Sequence, residues 1–285
     1  MDLKCLTTRE VARLCRVSDA TVKRWEESGL IRSERTNGGH RRFRAEEIAR
    51  FQRDQGLGLK HAHGDESIFT AQSRRRKPSS SDSLFHSLIA GSEEEAANLL
   101  IKTYMNGLHL VSIFDDLIGP AMRQVGELWV KGELSVAQEH LATRAAHAAV
   151  TKFRNTLPVP KITGELAFCC AFEGDFHELP THLSQIVLEN SGWEVMNFGA
   201  NTPLYSLGEE VMYHSPEAIC ISVSYIGDLD RLARDYKQFR EQTLKLKIPV
   251  ILGGRIFEND DIRRRFPADL YPESFAEVAQ FIRRV

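Results

Sequence analysis

Two residues offer metal chemistry. Asp175 and His177 lie two positions apart in Glu173-Gly174-Asp175-Phe176-His177-Glu178-Leu179. A carboxylate at this spacing can take one imidazole N–H and leave the second ring nitrogen to coordinate a metal. One histidine with no cysteine beside it is not a zinc cage. A single strong protein ligand suits a metal already held by a macrocycle. Standing alone, the same residues also read as a histidine in a capped loop. Trp129 is followed, after nine residues, by Glu139-His140. An indole is a large flat apolar surface, and the Glu–His pair offers hydrogen-bond partners to a polar group nearby. Tryptophan in a bundle is more often core, and Glu–His more often surface, so this spacing leaves both readings open.

The elements that position these residues follow from apolar periodicity. Past Pro158 and Pro160, short apolar runs at 166–171, 193–198, 218–223 and 250–252 alternate with helix-length segments at 180–191, 203–214, 230–246 and 273–284. Strands alternating with helices specify a parallel sheet with crossover helices. A last short strand at 269–271 is expected to complete a five-stranded flavodoxin-like, Rossmann-type domain over 158–285. His177 then sits at the carboxyl end of a strand, where open α/β sheets bind ligands. In 2-1-3-4-5 order, strands 1, 3 and 4 are neighbours. Ser222-Val223-Ser224, offering hydroxyls, and Gly253-Gly254, admitting a bulky ligand close to the backbone, join the same crevice.

Ahead of this domain, 82–157 reads as a bundle of about four helices. Leu84, Leu88, Ala96, Leu100, Leu117 and Val125 mark its three-to-four spacing. Ser92 with Glu95 reads as a capping box, and Gly119-Pro120 as a turn or kink. Residues 56–81 lose apolar periodicity and run through Arg74-Arg75-Arg76-Lys77, which reads as a flexible linker. Residues 1–55 are compact and largely helical. Thr8 to Cys15 forms one helix, and Ser18 or Asp19 caps a second that runs through Ser28. Two short helices joined by a tight turn make a helix-turn-helix. Thr21, Lys23 and Arg24 face outward on the second helix, while Val22 and Trp25 pack inward. Asn37-Gly38-Gly39 then turns a hairpin whose arms carry His40, Arg41 and Arg42, a wing suited to phosphate.

Charge agrees with this division. The 285 residues carry a net −2, yet residues 1–78 hold 18 Lys/Arg against 11 Asp/Glu, so the basic head sits on an acidic body. The five scattered cysteines form neither a zinc spacing nor a disulfide framework. No apolar run reaches membrane-spanning length and the start has no signal-peptide pattern, so a cytoplasmic protein is expected.

The head resembles the winged helix-turn-helix of the MerR family through Leu6-Thr7-Thr8-Arg9-Glu10-Val11-Ala12, Val22-Lys23-Arg24-Trp25-Glu26 and Gly38-Gly39-His40-Arg41-Arg42-Phe43. That resemblance implies double-stranded operator DNA as partner. The body is similar to the cobalamin-binding module of methionine synthase and of the CarH/LitR class of B12-dependent photoreceptor regulators. The motif Asp-x-His-x-x-Gly matches at Asp175 and His177, with Pro180 in the glycine's place. The serine motif falls at Ser222, with Ser224 where leucine is usual, and Gly-Gly at Gly253-Gly254.

The resemblance implies that His177 lies beneath the cobalt of adenosylcobalamin, with Ser222, Ser224, Gly253 and Gly254 around the nucleotide tail. Trp129, Val136, Glu139 and His140 would face its upper side. Val130 stands where some light-responding members carry histidine. A non-enzymatic repressor is implied: a homo-oligomer, dimer or tetramer, that dissociates when light cleaves the cobalt–carbon bond. A corrinoid carrier for methyl transfer, and a MerR-type regulator sensing haem, another ligand or a partner protein, are the rival readings.

Overall fold

The structure, a computed structural model, describes residues 5–15, 17–36, 38–55 and 80–285. The expected linker therefore lies outside the described residues up to residue 79, as does Asn37 of the wing turn. The chain divides into two compact units, Met1–Pro158 and Val159–Val285.

The first unit opens with β1 (Cys5–Thr7), α1 (Thr8–Cys15), α2 (Asp19–Glu27), β2 (Glu34–Arg35), β3 (Arg41–Arg44) and α3 (Ala45–Asp54). The strands pair antiparallel in the order β1-β3-β2, with Leu6 opposite Phe43. Thr7 and Glu10 cap α1 reciprocally: the Thr7 N–H donates to Glu10 Oε2 (2.8 Å) and the Glu10 N–H to Thr7 Oγ1 (3.2 Å). Ser18, with ψ at 156°, caps α2 by accepting the Thr21 N–H. Leu6, Val11, Val22, Ile31, Phe43 and Ile48 are buried at the centre. Trp25, half-buried, meets Phe51 at 4.9 Å between ring centres.

The bundle includes α4 (Ser80–Ile89), α5 (Glu93–Met105) and α8 (Val136–Arg154). Between α5 and α8 lie, without a break, α6 (Leu110–Ile113), a π turn (Phe114–Ile118) and α7 (Gly119–Val130). The π turn ends where Gly119-Pro120 begins the next helix. Pro120 has no N–H for the helical ladder, and the wide turn before it closes through the Gly119 N–H bonding back to the Phe114 carbonyl. A Cβ on Gly119 would lie 3.2 Å from that oxygen. Ser92 does not form the expected capping box: with ψ at 81° its side chain makes no capping bond. Ser135, with ψ at 160°, does so with Gln138. Only the extended backbone aims a cap oxygen into the first turn. The head rests on α5, where Lys102 Nζ lies 3.4 Å from Glu10 Oε1 and Arg13 Nη2 donates to Asn106 Oδ1 at 3.4 Å.

The second unit runs β4 (Leu166–Phe172), α9 (Leu179–Asn190), β5 (Glu194–Thr202), α10 (Leu204–His214), β6 (Ala218–Ser222), α11 (Leu229–Leu246) and β7 (Val250–Gly253). A 3-10 turn (Arg255–Glu258), α12 (Asp260–Arg265) and α13 (Phe275–Ile282) complete it. The sheet is parallel in the order β5-β4-β6-β7, so the first, third and fourth strands are neighbours as expected. The expected fifth strand reduces to one bridge, Leu270 with Ile251. Pro267 and Pro272, which have no N–H to donate, bracket it. Asp269 donates its N–H to the Val250 carbonyl (2.9 Å), while its side chain accepts the Val250 N–H (2.7 Å) and grips the buried Arg240 guanidinium with both oxygens (2.8 Å each). Among the described residues no helix is long and apolar enough to cross a membrane.

Asp269→Ala would leave Arg240 buried without its counter-charge. A loss of roughly 3 kcal/mol in the second unit's stability is expected, read from urea unfolding, with Asp269→Asn recovering part of it. An unchanged urea midpoint would show that the pair contributes nothing.

Candidate functional site

β4 ends at Phe172, and the loop that follows turns back at Gly174, whose φ of +83° suits glycine. This loop brings Asp175 into full burial and leaves His177 exposed over 62 % of its side chain. Nδ1 of His177 lies 2.7 Å from Asp175 Oδ1, which also accepts the His177 N–H at 3.0 Å. The other oxygen, Oδ2, accepts the N–H groups of Ser224 (2.5 Å) and Tyr225 (3.2 Å), just past β6. Burial alone would raise this carboxyl's pKa. The hydrogen bonds from the His177 ring and from the His177 and Ser224 N–H groups outweigh it and hold the group below the ordinary aspartate value. The resulting anion is fixed on one side by backbone and aims an imidazole with the other, placing Nε2 on the far side of the ring.

The ends of β6 and β7 join the same edge. The Val223 N–H donates to the Gly253 carbonyl at 2.8 Å. Ser222 is buried, and its hydroxyl turns onto the Cys170 carbonyl (3.4 Å) rather than outward. Ser224 is exposed and contributes its N–H to Asp175. The two glycines differ. Gly254 has φ +133°, and a Cβ there would fall 2.0 Å from the Val223 carbonyl oxygen, whereas a Cβ on Gly253 would meet only Pro272, at 3.8 Å. Gly254 is required by the chain itself. Gly253 keeps open space. Pro180 sits in the first turn of α9, where a missing N–H costs nothing. Among the described residues no group of three or more His, Cys, Asp and Glu is placed to hold an ion, so His177 offers a single donor.

In the first unit, Trp129 is not core: it is 47 % exposed, beside exposed Val130, and exposed Val136 and Leu141 follow on α8. The connection from α7 to α8 is tight, with the Glu133 and Leu134 N–H groups both donating to the Leu128 carbonyl. Glu139 accepts from Thr143 Oγ1 at 2.7 Å and lies 3.7 Å from His140 Nε2. Trp129 and the first turns of α8 thus present an apolar surface with a polar pair.

On the head, Lys23, Arg24 and His40 are exposed and Thr21 is half-buried. Arg41 is not free to reach outward, because Glu26 of α2 takes its Nε at 2.8 Å and Glu27 lies 3.8 Å from its Nη2. Hydrogen bonds from Ser33 and Arg41 hold the Glu26 carboxyl below its ordinary pKa. Arg41 therefore locks the wing to the second helix. Arg42 is half-buried, with Nη1 donating to the Arg41 carbonyl at 3.3 Å. The residues that tie the sheet edge together and escaped the sequence reading are Tyr225 and Asn201. Asn201 belongs to Asn201-Thr202-Pro203 ahead of a helix, a turn composition that could have drawn notice.

Comparison with known proteins finds two family matches, both within the first unit. Residues 7–43 match the profile of the MerR family regulatory protein, and residues 81–153 that of the B12 binding domain. The chain is 23% identical over 265 residues to the HTH-type transcriptional repressor CarH of Myxococcus xanthus, covering 85% of this chain and 86% of that one. It is also 23% identical over 209 residues to monomethylamine corrinoid protein 1 of Methanosarcina acetivorans, covering 70% of this chain and 94% of the relative. The structure of the Methanosarcina barkeri monomethylamine corrinoid protein shares the fold at a TM-score of 0.61 and 19% identity, over 71% of this chain and 96% of that one. The chain thus joins a MerR-type head to a B12-binding domain and an α/β domain of corrinoid-protein fold.

The glycine geometry gives a paired expectation. Gly254→Ala must displace the Val223 carbonyl and should destabilise the second unit by roughly 3 kcal/mol or more. Gly253→Ala should fold within about 1 kcal/mol of the parent. Equal urea midpoints for the two variants would overturn this division of roles.

Proposed function

We propose that the chain is a transcriptional repressor that binds operator DNA through its head, holds adenosylcobalamin in its body and releases the DNA in response to light. One observation carries the reading: a buried carboxylate aims the exposed His177 imidazole at the carboxyl edge of a parallel sheet. The MerR-type head at the other end of the chain turns a binding module into a regulator. The donor set fits a corrin, because a metal that arrives already ringed by four nitrogens needs one strong ligand and space beside it. His177 supplies the first and Gly253 the second.

His177 would hold the cobalt. Asp175, accepting from Nδ1, keeps the proton on that nitrogen and the lone pair on Nε2. Ser222, Ser224, Gly253 and Gly254 belong to the nucleotide tail, where Ser222 acts from within the sheet. Trp129, Val136, Glu139 and His140 would also hold the cofactor, the exposed indole and valine supplying apolar contact and the Glu–His pair polar contact. When bound, adenosylcobalamin supplies a cobalt–carbon bond that light breaks. Trp129 and its neighbours would pack against the bound cofactor, and loss of that packing would separate the homo-oligomer and with it the multivalent grip on DNA. Lys23, Arg24 and His40 contact DNA directly, Thr21 and Arg42 from half-buried positions, and Arg41 sets the wing. The protein works in the cytoplasm and turns over no substrate. A corrinoid carrier is the second reading, favoured by the likeness to monomethylamine corrinoid protein 1. The winged head weighs against it.

The chain mixed with hydroxo- or adenosylcobalamin is expected to stay coloured through desalting. His177→Ala should alter the visible spectrum and weaken binding by about ten- to a hundredfold; identical spectra and affinities would refute the ligand. Gel filtration and gel retardation, on DNA selected from a random pool, test the switch. With adenosylcobalamin the dark sample should elute as the larger species and retard DNA, and the illuminated one should do neither. Indifference to illumination would remove light as the signal.

A further inference from the structure

We propose that Asn201 positions the His177 imidazole from the neighbouring strand, an inference that rests on the reading of His177 as a cobalt ligand. Asn201 lies near the end of β5, where the register against β4 slips: Cys170 pairs with Gly199 but Phe172 pairs with Thr202, so β5 carries one residue more. Such a bulge re-aims a side chain. Gly199 and Asn201 take up the irregularity with φ of +76° and +55°. Asparagine tolerates this left-handed backbone better than most residues with a Cβ.

The bulge gives Asn201 two bonds to the His177 loop. The Gly174 N–H donates to Asn201 Oδ1 at 2.8 Å, and the Asn201 N–H donates to the Asp175 carbonyl at 2.8 Å. The Asp175 N–H is already held by the Phe172 carbonyl at 3.0 Å. Asp175 is thus held through both its N–H and its carbonyl, with its carboxylate meeting the imidazole and the Ser224 N–H. Asn201 does not touch the imidazole; it acts through Asp175.

Three variants of the full chain separate side chain from backbone. Asn201→Gly keeps the left-handed backbone and loses the acceptor. Asn201→Ala loses both. Asn201→Asp keeps both. Amide exchange at Gly174, measured without cobalamin, should quicken in the Gly and Ala variants and stay at the parent rate in the Asp variant. Affinity for hydroxocobalamin should fall about fivefold in Asn201→Gly, the worth of one such bond, and further in Asn201→Ala. Their visible spectra should shift toward that of His177→Ala, and Asn201→Asp should restore the parent spectrum. Faster exchange with unchanged affinity and spectrum would make Asn201 a loop brace only and overturn the proposal. A parent chain that takes up no cobalamin would overturn the function and this inference with it, a pattern distinct from a parent that binds and an Asn201→Gly variant that equals it.

Discussion

The Asp175 carboxylate ties the sheet edge together. A buried charge without partners would cost several kcal/mol, and this one is made tolerable by donors from two different strand ends. Oδ1 takes the imidazole and its N–H, and Oδ2 takes the two N–H groups past β6. The β7 end joins through the Val223–Gly253 bond, and the β5 end through Asn201. An imidazole fixed in this way loses little freedom on meeting a metal. The lowered pKa of Asp175 has the matching sign: its contribution to stability is present above the ordinary carboxylate range and is lost as pH falls through its folded value.

The head obeys the same economy of shared anions. Glu26 bridges the second helix to the wing by accepting from both Ser33 and Arg41. Glu10 caps α1 with one oxygen and faces Lys102 of α5 with the other. Burial acts to raise its pKa, and the bonds from Thr7 with the charge of Lys102 outweigh it and lower it. A head held by its helix-capping residue leaves Lys23, Arg24 and His40 exposed.

Much of this was legible in the sequence because side chains wrote it. The apolar runs became the four parallel strands, Ser18 became the cap of the second helix, and the Asp175–His177 spacing became a hydrogen bond. What escaped was written in backbone or in distant partners. β1 is three residues long and exists because Phe43 lies opposite Leu6. The N–H groups of Ser224 and Tyr225 leave no trace in residue type. The ion pair of Arg41 with Glu26 joins residues fifteen apart, and 269–271 reads as a strand until its flanking prolines limit it to one bridge. Ser92 with Glu95 reads as a capping box, yet its ψ of 81° leaves the side chain without a capping bond.

The departures from the cobalamin motif then sort by what each position contributes. Pro180 falls in the helical turn that spends no N–H, so the scaffold is indifferent to it. Ser224 anchors Asp175 through its N–H, which any residue but proline possesses, so the exchange of leucine for serine spares the imidazole's support and alters only the exposed surface beside it. Val130 is 77 % exposed beside Trp129 and carries no nitrogen. An apolar side chain there extends the indole's surface and cannot act as a ligand. The bonds that hold the His177 imidazole are therefore untouched by these three residues, two of which are exposed.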